Sequence, residues 1–265
     1  MFQPLYVAAT ALSAQEDAIL NITNNLANSQ TVAFKKSRTE MESLFYVEKT
    51  FEDMLYEAMS GYETPPVSVE YGTGVRVAST PKDFSQGSVE ITNNPLDLAV
   101  KGDGFLQFQN ADGLAIFGRA GNLHLDNDNN LVDPNGNKFD PEINFPVGVT
   151  SIVIQQDGTV LVATNNETQY TEVGQITLAR FTNPAGLKSL GQNIYQATES
   201  SGEAILGIPG EDGYGTINQF SLEQSNVDVI SEMMNMMVVQ RVFDTITKAV
   251  QSYEGMLTSL ERMKQ

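Results

Sequence analysis

The sequence predicts an α+β fold: a mainly all-β central domain flanked by long N- and C-terminal helices that pair as a coiled coil. Three observations carry that expectation. Both ends of the chain hold apolar residues at seven-residue spacing. Short alternating runs and turn dipeptides crowd the middle, and nearly all the net charge lies there too.

Residues 1–30 contain no glycine and one proline, Pro4, placed where a helix can begin. Leu5, Leu12, Ile19 and Leu26 recur every seventh residue, and Ala8, Gln15 and Ile22 each follow three positions after the first three. This is a heptad-type stripe with one polar interruption, on a helix of about 24 residues and on the order of 35 Å. A chain start frays unless something ties it down, so the stripe needs a partner within the chain or on another molecule. Asn28 and Ser29 compete for backbone hydrogen bonds and end the helix. Phe34 and the bases Lys35, Lys36 and Arg38 follow. These bases either favour the negative end of the helix dipole, if the turn folds back, or form a solvated patch.

The C-terminal segment mirrors the first. From Val227 to Gln265 there is no proline and one glycine, Gly255, and six of the ten methionines lie here. Val239, Ile246, Tyr253 and Leu260 repeat every seventh residue, with Val242, Ala249, Met256 and Met263 as companions. Ser225 to Asp228 supplies N-cap candidates. Methionine fills irregular gaps without demanding one geometry, which suits a seam that meets slightly different neighbours.

From about Val75 to Glu223 the pattern changes. "SIVIQQDGTVLVA" reads as a hairpin turning at Asp157-Gly158. "LDLAVKGDGFLQFQNADGLAIF" holds three more strand-like pieces around Asp103-Gly104 and Asp112-Gly113, and "YTEVGQITLARF" and "NIYQATESSG" continue the series. Strands this close, with no convincing helix between them, imply an all-β domain. Between Thr39 and Gly72 lies a transitional stretch, amphipathic at "FEDMLYEAM" and turn-like at "SGYETPP".

Charge follows the same division. Residues 1–30 carry −2 and residues 227–265 carry −1, leaving −15 of the −18 to the rest. Weakly charged ends suit helices that associate in numbers, and an acidic chain repels a phosphate backbone, which excludes a nucleic-acid partner. With no cysteine there is neither a disulfide framework nor a thiol nucleophile. A single histidine, His124, removes most metal-site and triad chemistry. The first twenty residues lack the basic and unbroken apolar regions of a secretory signal, and no apolar run reaches membrane-spanning length.

Three stretches carry a resemblance: "NNLANSQTVAFKKSR" (Asn24 to Arg38), "QGSVEITNNPLDLAVKGDGFLQF" (Gln86 to Phe108) and "SNVDVISEMMNMMVVQRVFDTITKAV" (Ser225 to Val250). In type and order they resemble the signatures of the flagellar rod and hook family of axial proteins. Total length, "EYGTGVRVASTPKDFSQGS" and the insertion between Phe34 and Gly72 look most like its distal-rod members. The matching motif positions are Asn24, Asn25, Leu26, Ala27, Asn28 and Phe34. One position departs: the family usually has glycine where this chain has Ala33, which costs strain if that residue needs a positive φ.

The resemblance implies a structural subunit of the distal rod and not an enzyme. Such a subunit is exported without a cleaved signal peptide, through the flagellar type III export apparatus. It polymerises with itself into a hollow helical drive shaft across the periplasm. Its neighbours are proximal-rod and hook proteins, peptidoglycan-ring proteins and outer-membrane-ring proteins. The division implied is an assembly helix over 1–30, an extended linker or insertion over 31–74, a β-rich outer domain over 75–223 and a second assembly helix over 224–265. Leu5, Leu12, Ile19, Ile22, Leu26, Val239, Val242, Ile246, Tyr253 and Leu260 are the expected self-assembly residues. No cofactor, metal, small-molecule substrate or nucleic acid is expected.

Other readings are weaker. A different axial paralogue is one, and a β-domain binding module with oligomerising helices is another. The carboxylates of "DNDNNLVD", Asp126 to Asp133, lack the glycine and terminal glutamate of a calcium loop and read as a hairpin turn, with His124 on the strand surface. "YGTGVR" has no strand–helix phosphate context, and no serine stands in a nucleophile motif.

Overall fold

The structure, a computed structural model, describes residues 3–49, 69–110, 112–164 and 170–263. It is α+β, mainly β with a helix near each end. The chain divides into two compact units. One comprises Met1–Leu26, Ser37–Pro81 and Val229–Gln265; the other comprises Ala27–Lys36 and Lys82–Asp228.

The first unit holds both helices, α1 (Gln3–Ala27) and α2 (Val229–Met263). It also holds two antiparallel strand pairs, Glu40–Ser43 with Val75–Ser79 and Tyr46–Lys49 with Val69–Gly72, which together make a ribbon. The pairs join where Leu44 N donates to Gly74 O and Thr73 N donates to Phe45 O. Gly74 has φ +125°, and a Cβ there would lie 2.2 Å from Thr10 Oγ1 of α1, so ribbon backbone and helix meet face to face. Further along, Asn21 Nδ2 donates to Thr39 Oγ1 at 2.9 Å. The side chains of α1 that are fully covered are Ala14, Ala18 and Asn25. Small residues on that face let the packed backbone come close. The amphipathic run Phe51–Met59 and the turn-like Ser60–Pro66 expected from the sequence lie outside the described residues.

Along α2 the partly buried apolar positions are Met236, Val239, Phe243, Ile246, Val250, Tyr253 and Leu257, alternating by three and four. The phase of the stripe therefore differs from the sequence expectation. Val239, Ile246 and Tyr253 lie on it, but their companions stand four residues on, while Val242 and Leu260 are exposed. The sequence offers an apolar residue at both the third and fourth positions after each (Val242 and Phe243, Met256 and Leu257). Periodicity alone does not choose between them; packing takes the bulkier set. The two helices touch where Asn25 Nδ2 donates to Glu232 Oε2 at 3.5 Å. A coiled-coil seam along their length belongs to the assembly proposed below.

In the second unit the described residues form one nine-stranded sheet and three smaller ones. Phe105–Gln109 is its hub. One edge takes Ala115–Gly118; the other takes, end to end, Leu178–Arg180 and Lys138–Phe139. Asp157-Gly158 turns the hairpin of Val149–Ile154 and Thr159–Thr164, with Gln155 N donating to Thr159 O. The acidic stretch is also a turn: Asp126 N donates to Asn130 O, the flanking strands pair His124 with Val132, and His124 is exposed. Asp103-Gly104 is not a hairpin, because Leu98–Lys101 pairs with Thr216–Gln219 instead of its sequence neighbour. The main core gathers Leu98, Val100, Leu106, Phe108, Phe139, Val160 and Ile217. A second cluster stacks Phe105, Phe117, Phe181 and Tyr195 edge to face, with Phe84 against it.

Candidate functional site

In the second unit one charged cluster gathers residues 27–36 and residues 223–228. Residues 28–36 directly follow α1, and residues 223–228 directly precede α2. Lys35 Nζ lies 2.7 Å from Glu223 Oε1, and both side chains are 0% exposed. The same ammonium donates to Ser85 O at 2.7 Å, and Gly87 N donates to Glu223 Oε1 at 2.9 Å. A Cβ at Gly87 would stand 2.1 Å from Gln224 O, so only a glycine allows that backbone to approach. Arg119 Nη1 faces Glu223 Oε2 at 3.6 Å. The rest of its guanidinium is fixed by Gly104 O and Gly102 O and lies over the Phe105 ring.

Backbone pairing draws the same segments together. Ala33 N donates to Glu223 O at 2.8 Å, and Asn226 N donates to Phe34 O at 3.3 Å. The Asn226 side chain accepts from Lys36 N and donates to Asp83 O, both at 2.8 Å. Asn193 Nδ2 donates to Val32 O at 2.8 Å. Residues from all three signature stretches, or directly beside them, thus converge at one place.

Burial pushes the Lys35 ammonium below the usual lysine range; the Glu223 carboxylate opposes that push and Arg119 adds to it. Tyr195, packed beside the cluster, has its phenol raised above the ordinary 10.0, chiefly by burial. A buried ion pair gains little net stability over a well-packed apolar pair, yet removing one partner costs about 3–5 kcal/mol, because the other charge is left stranded.

In the helix unit the candidate surfaces are apolar. Among the described residues of α2, which has 35, the one buried side chain is Glu232. Ile230, Met233, Met234, Met237 and Val238 are all more than half exposed. On α1, Tyr6 and Leu20 are exposed, while Leu5, Leu12, Ile19, Ile22 and Leu26 are half-buried. Val239, Ile246 and Tyr253 are half-buried, and Val242 and Leu260 are exposed at 39% and 57%.

The motif positions separate by role. Asn25 is 2% exposed and its carboxamide holds the backbone of Ser37; Phe34 is buried under the Lys82 ammonium, 5.2 Å from its ring centre. Asn28 caps the turn by accepting from Thr31 N and Oγ1. Asn24 and Ala27 are exposed. Ala33 has φ 56°, so the position does require the left-handed region. The basic trio divides: Lys35 is buried, Lys36 half-buried and Arg38 solvated. Lys35 is sealed against Glu223, Lys36 lies 3.7 Å from Asp83, and Arg38 pairs with Glu40 at 2.6 Å.

Sequence reasoning missed Glu223 and Arg119, and it gave Lys35 and Asn226 other roles. A lysine is among the least buried residue types, and nothing local announces a partner 188 positions away.

Residues 99–162 match the family described as flagellar hook protein FlgE/F/G D1 domain, and residues 218–263 match the flagellar basal body rod FlgEFG protein C-terminal family. The chain is similar to the flagellar basal-body rod protein FlgG of Borreliella burgdorferi, 36% identical over 100% of this chain and 99% of that one. It is 37% identical to the same-named protein of Buchnera aphidicola subsp. Schizaphis graminum, over 99% and 100% of the two chains. With the flagellar hook protein FlgE of Escherichia coli K12 it shares 38% identity over 51% of this chain and 32% of that one.

Proposed function

Because the chain belongs to the flagellar basal-body rod protein family, we propose that it is a structural subunit of the distal rod, built into a hollow helical polymer that transmits torque to the hook. The observation that carries this reading is α2, a 35-residue helix whose methionine, valine and isoleucine side chains stand in water along most of its length. Exposing that much apolar surface is unfavourable by roughly 25 cal/mol per Å², so the helix is built to be covered. An open helical filament covers it by heterologous contacts, in which one patch meets a different patch on the next copy and the rotation never closes.

In that polymer α1 and α2 pair as a coiled coil and form the inner layer, with residues 1–30 and 224–265 as assembly helices. Leu5, Leu12, Ile19, Ile22, Leu26, Val239, Val242, Ile246, Tyr253 and Leu260 bury their side chains between copies. Residues 75–223 form the outer domain, and 31–74 link the two. The exposed position of Val242 and Leu260 fits contact with a neighbouring copy better than a seam within one chain. The neighbours are proximal-rod and hook proteins at the two ends of the polymer, and peptidoglycan-ring and outer-membrane-ring proteins around it. Subunits reach the periplasm through the flagellar type III export apparatus without a cleaved signal peptide. The role is mechanical and needs no catalytic group. Similarity over the full length to rod proteins, against half the chain for the hook protein, favours a rod position over a hook one.

Sedimentation of the full chain over a range of concentrations tests the proposal. Growth in size with concentration is expected, and Met237→Glu with Val238→Glu, on the exposed face of α2, should keep the chain monomeric. A null strain should lose hook and filament yet retain a proximal rod, and that variant should not restore them. A chain that stays monomeric at every concentration and a null strain that still swims would refute the reading.

A further inference from the structure

We propose that Lys35, Glu223 and Arg119 form a charge latch, which closes the β unit only when residues 27–36 and residues 223–228 are both in place. The cluster holds two cations and one anion in a site sealed from water. Glu223 is the shared counter-ion. One carboxylate oxygen takes Lys35 Nζ and Gly87 N, and the other faces Arg119 Nη1. Lys35 feels attraction from Glu223 and Asp83 and repulsion from Arg119. Its presence is therefore favourable only while Glu223 is there to separate it from the guanidinium. Take the anion away and the same ammonium becomes a second buried cation beside the first.

The segment that Lys35 anchors is also held to the β unit by Ala33 N to Glu223 O, Lys36 N to Asn226 Oδ1, Asn226 N to Phe34 O, Asp83 N to Lys36 O, Asn193 Nδ2 to Val32 O, Lys82 Nζ to Lys35 O and the Lys36–Asp83 ion pair. Several of these end on residues 223–226 themselves. Before the C-terminal segment is seated, docking residues 27–36 buries an ammonium without its anion. Before residues 27–36 are seated, Glu223 is buried without its short-range cation. Each end is thus unfavourable to dock alone, and the two dock together. The chain leaves this closure at Ala27 on one side and at Asp228 on the other. The latch does not depend on whether the chain polymerises.

Full-length Lys35→Met, Glu223→Gln and the double variant test the latch by amide hydrogen exchange. In Lys35→Met, exchange at Ala33, Lys36 and Asn226 should quicken by about tenfold while Val160 and Val162, in the 149–164 hairpin, stay unchanged, as expected of local opening. Glu223→Gln should quicken the same amides more. Adding Lys35→Met to Glu223→Gln should then slow them again, by about threefold, a reversal of sign between neighbours that share one charge balance. Faster exchange from Lys35→Met in both backgrounds would mean that Lys35 only fills space, and would overturn the latch. Equal acceleration at Val160 and Val162 would overturn it as well. Should Glu223→Gln fail to fold, the double variant decides: a folded double variant supports the reversal and an unfolded one refutes it.

Discussion

The Asn25 carboxamide pairs with the backbone of Ser37 in both directions: Nδ2 donates to Ser37 O at 2.9 Å and Oδ1 accepts from Ser37 N at 3.0 Å. The side chain imitates a strand partner, so a residue near the end of α1 engages both backbone groups of Ser37. The same Nδ2 reaches Glu232, the buried carboxylate in the first turn of α2. One asparagine therefore ties the start of the ribbon to the ends of two helices.

Asn25→Ala removes two hydrogen bonds to the backbone of half-buried Ser37. Each such bond contributes about 0.5–1.5 kcal/mol net, so a loss of about 1–3 kcal/mol is expected. Asn25→Asp keeps the acceptor for Ser37 N but sets a carboxylate against Glu232 and Ser37 O, and it should be no milder. Denaturant titration of the helix unit's signal checks both.

Gly74→Ala places a methyl 2.2 Å from Thr10 Oγ1 at φ +125°. The clash and the backbone strain together should destabilise by about 2 kcal/mol or more. Pairing it with Thr10→Ala removes the clash and leaves the strain, so about half the loss should return. Thermal melts of the single and double variants measure the split.

Ala33→Gly acts in the other direction. At φ 56° an L-residue carries a cost of about 1 kcal/mol that glycine does not, and the loss of one buried methyl offsets part of it. A net gain of about 0.5 kcal/mol is expected, visible as a raised melting temperature.

Tyr195 makes stability depend on alkaline pH. Its folded-state phenol is raised above the ordinary 10.0, chiefly by burial, so above pH 10 the unfolded chain releases a proton that the folded chain keeps. The stability from this group is complete below pH 10 and falls as pH rises beyond it, by up to 1.4 kcal/mol per unit, roughly one proton's worth. Tyr195→Phe abolishes that release, and its stability curve above pH 10 should be flatter by that slope. Urea titrations at pH 9, 10 and 11 give the comparison.

The helices at both ends, the β middle, the Asp157-Gly158 hairpin and the acidic turn at Asp126 were all legible in the chain. Each is specified by local chemistry: apolar periods of 3.5 or 2, and turn residues between them. Ala33 could be flagged from the sequence as a position that would be strained if its φ were positive, and the structure supplies the angle. The phase of the α2 stripe was not legible, because Val242 and Phe243 both satisfy a heptad count and only packing separates them. Nor was the end-to-end sharing of Phe105–Gln109 by Leu178–Arg180 and Lys138–Phe139.

The charge cluster lies furthest from local reach. Lys35, Arg119 and Glu223 are three ordinary surface residues until the fold removes water from all of them at once. Burial and distance then turn a weak attraction into a requirement that each have its partner. Local order along the chain sets which segments become helix or strand; which charges must be sealed together is decided only where segments 188 residues apart meet.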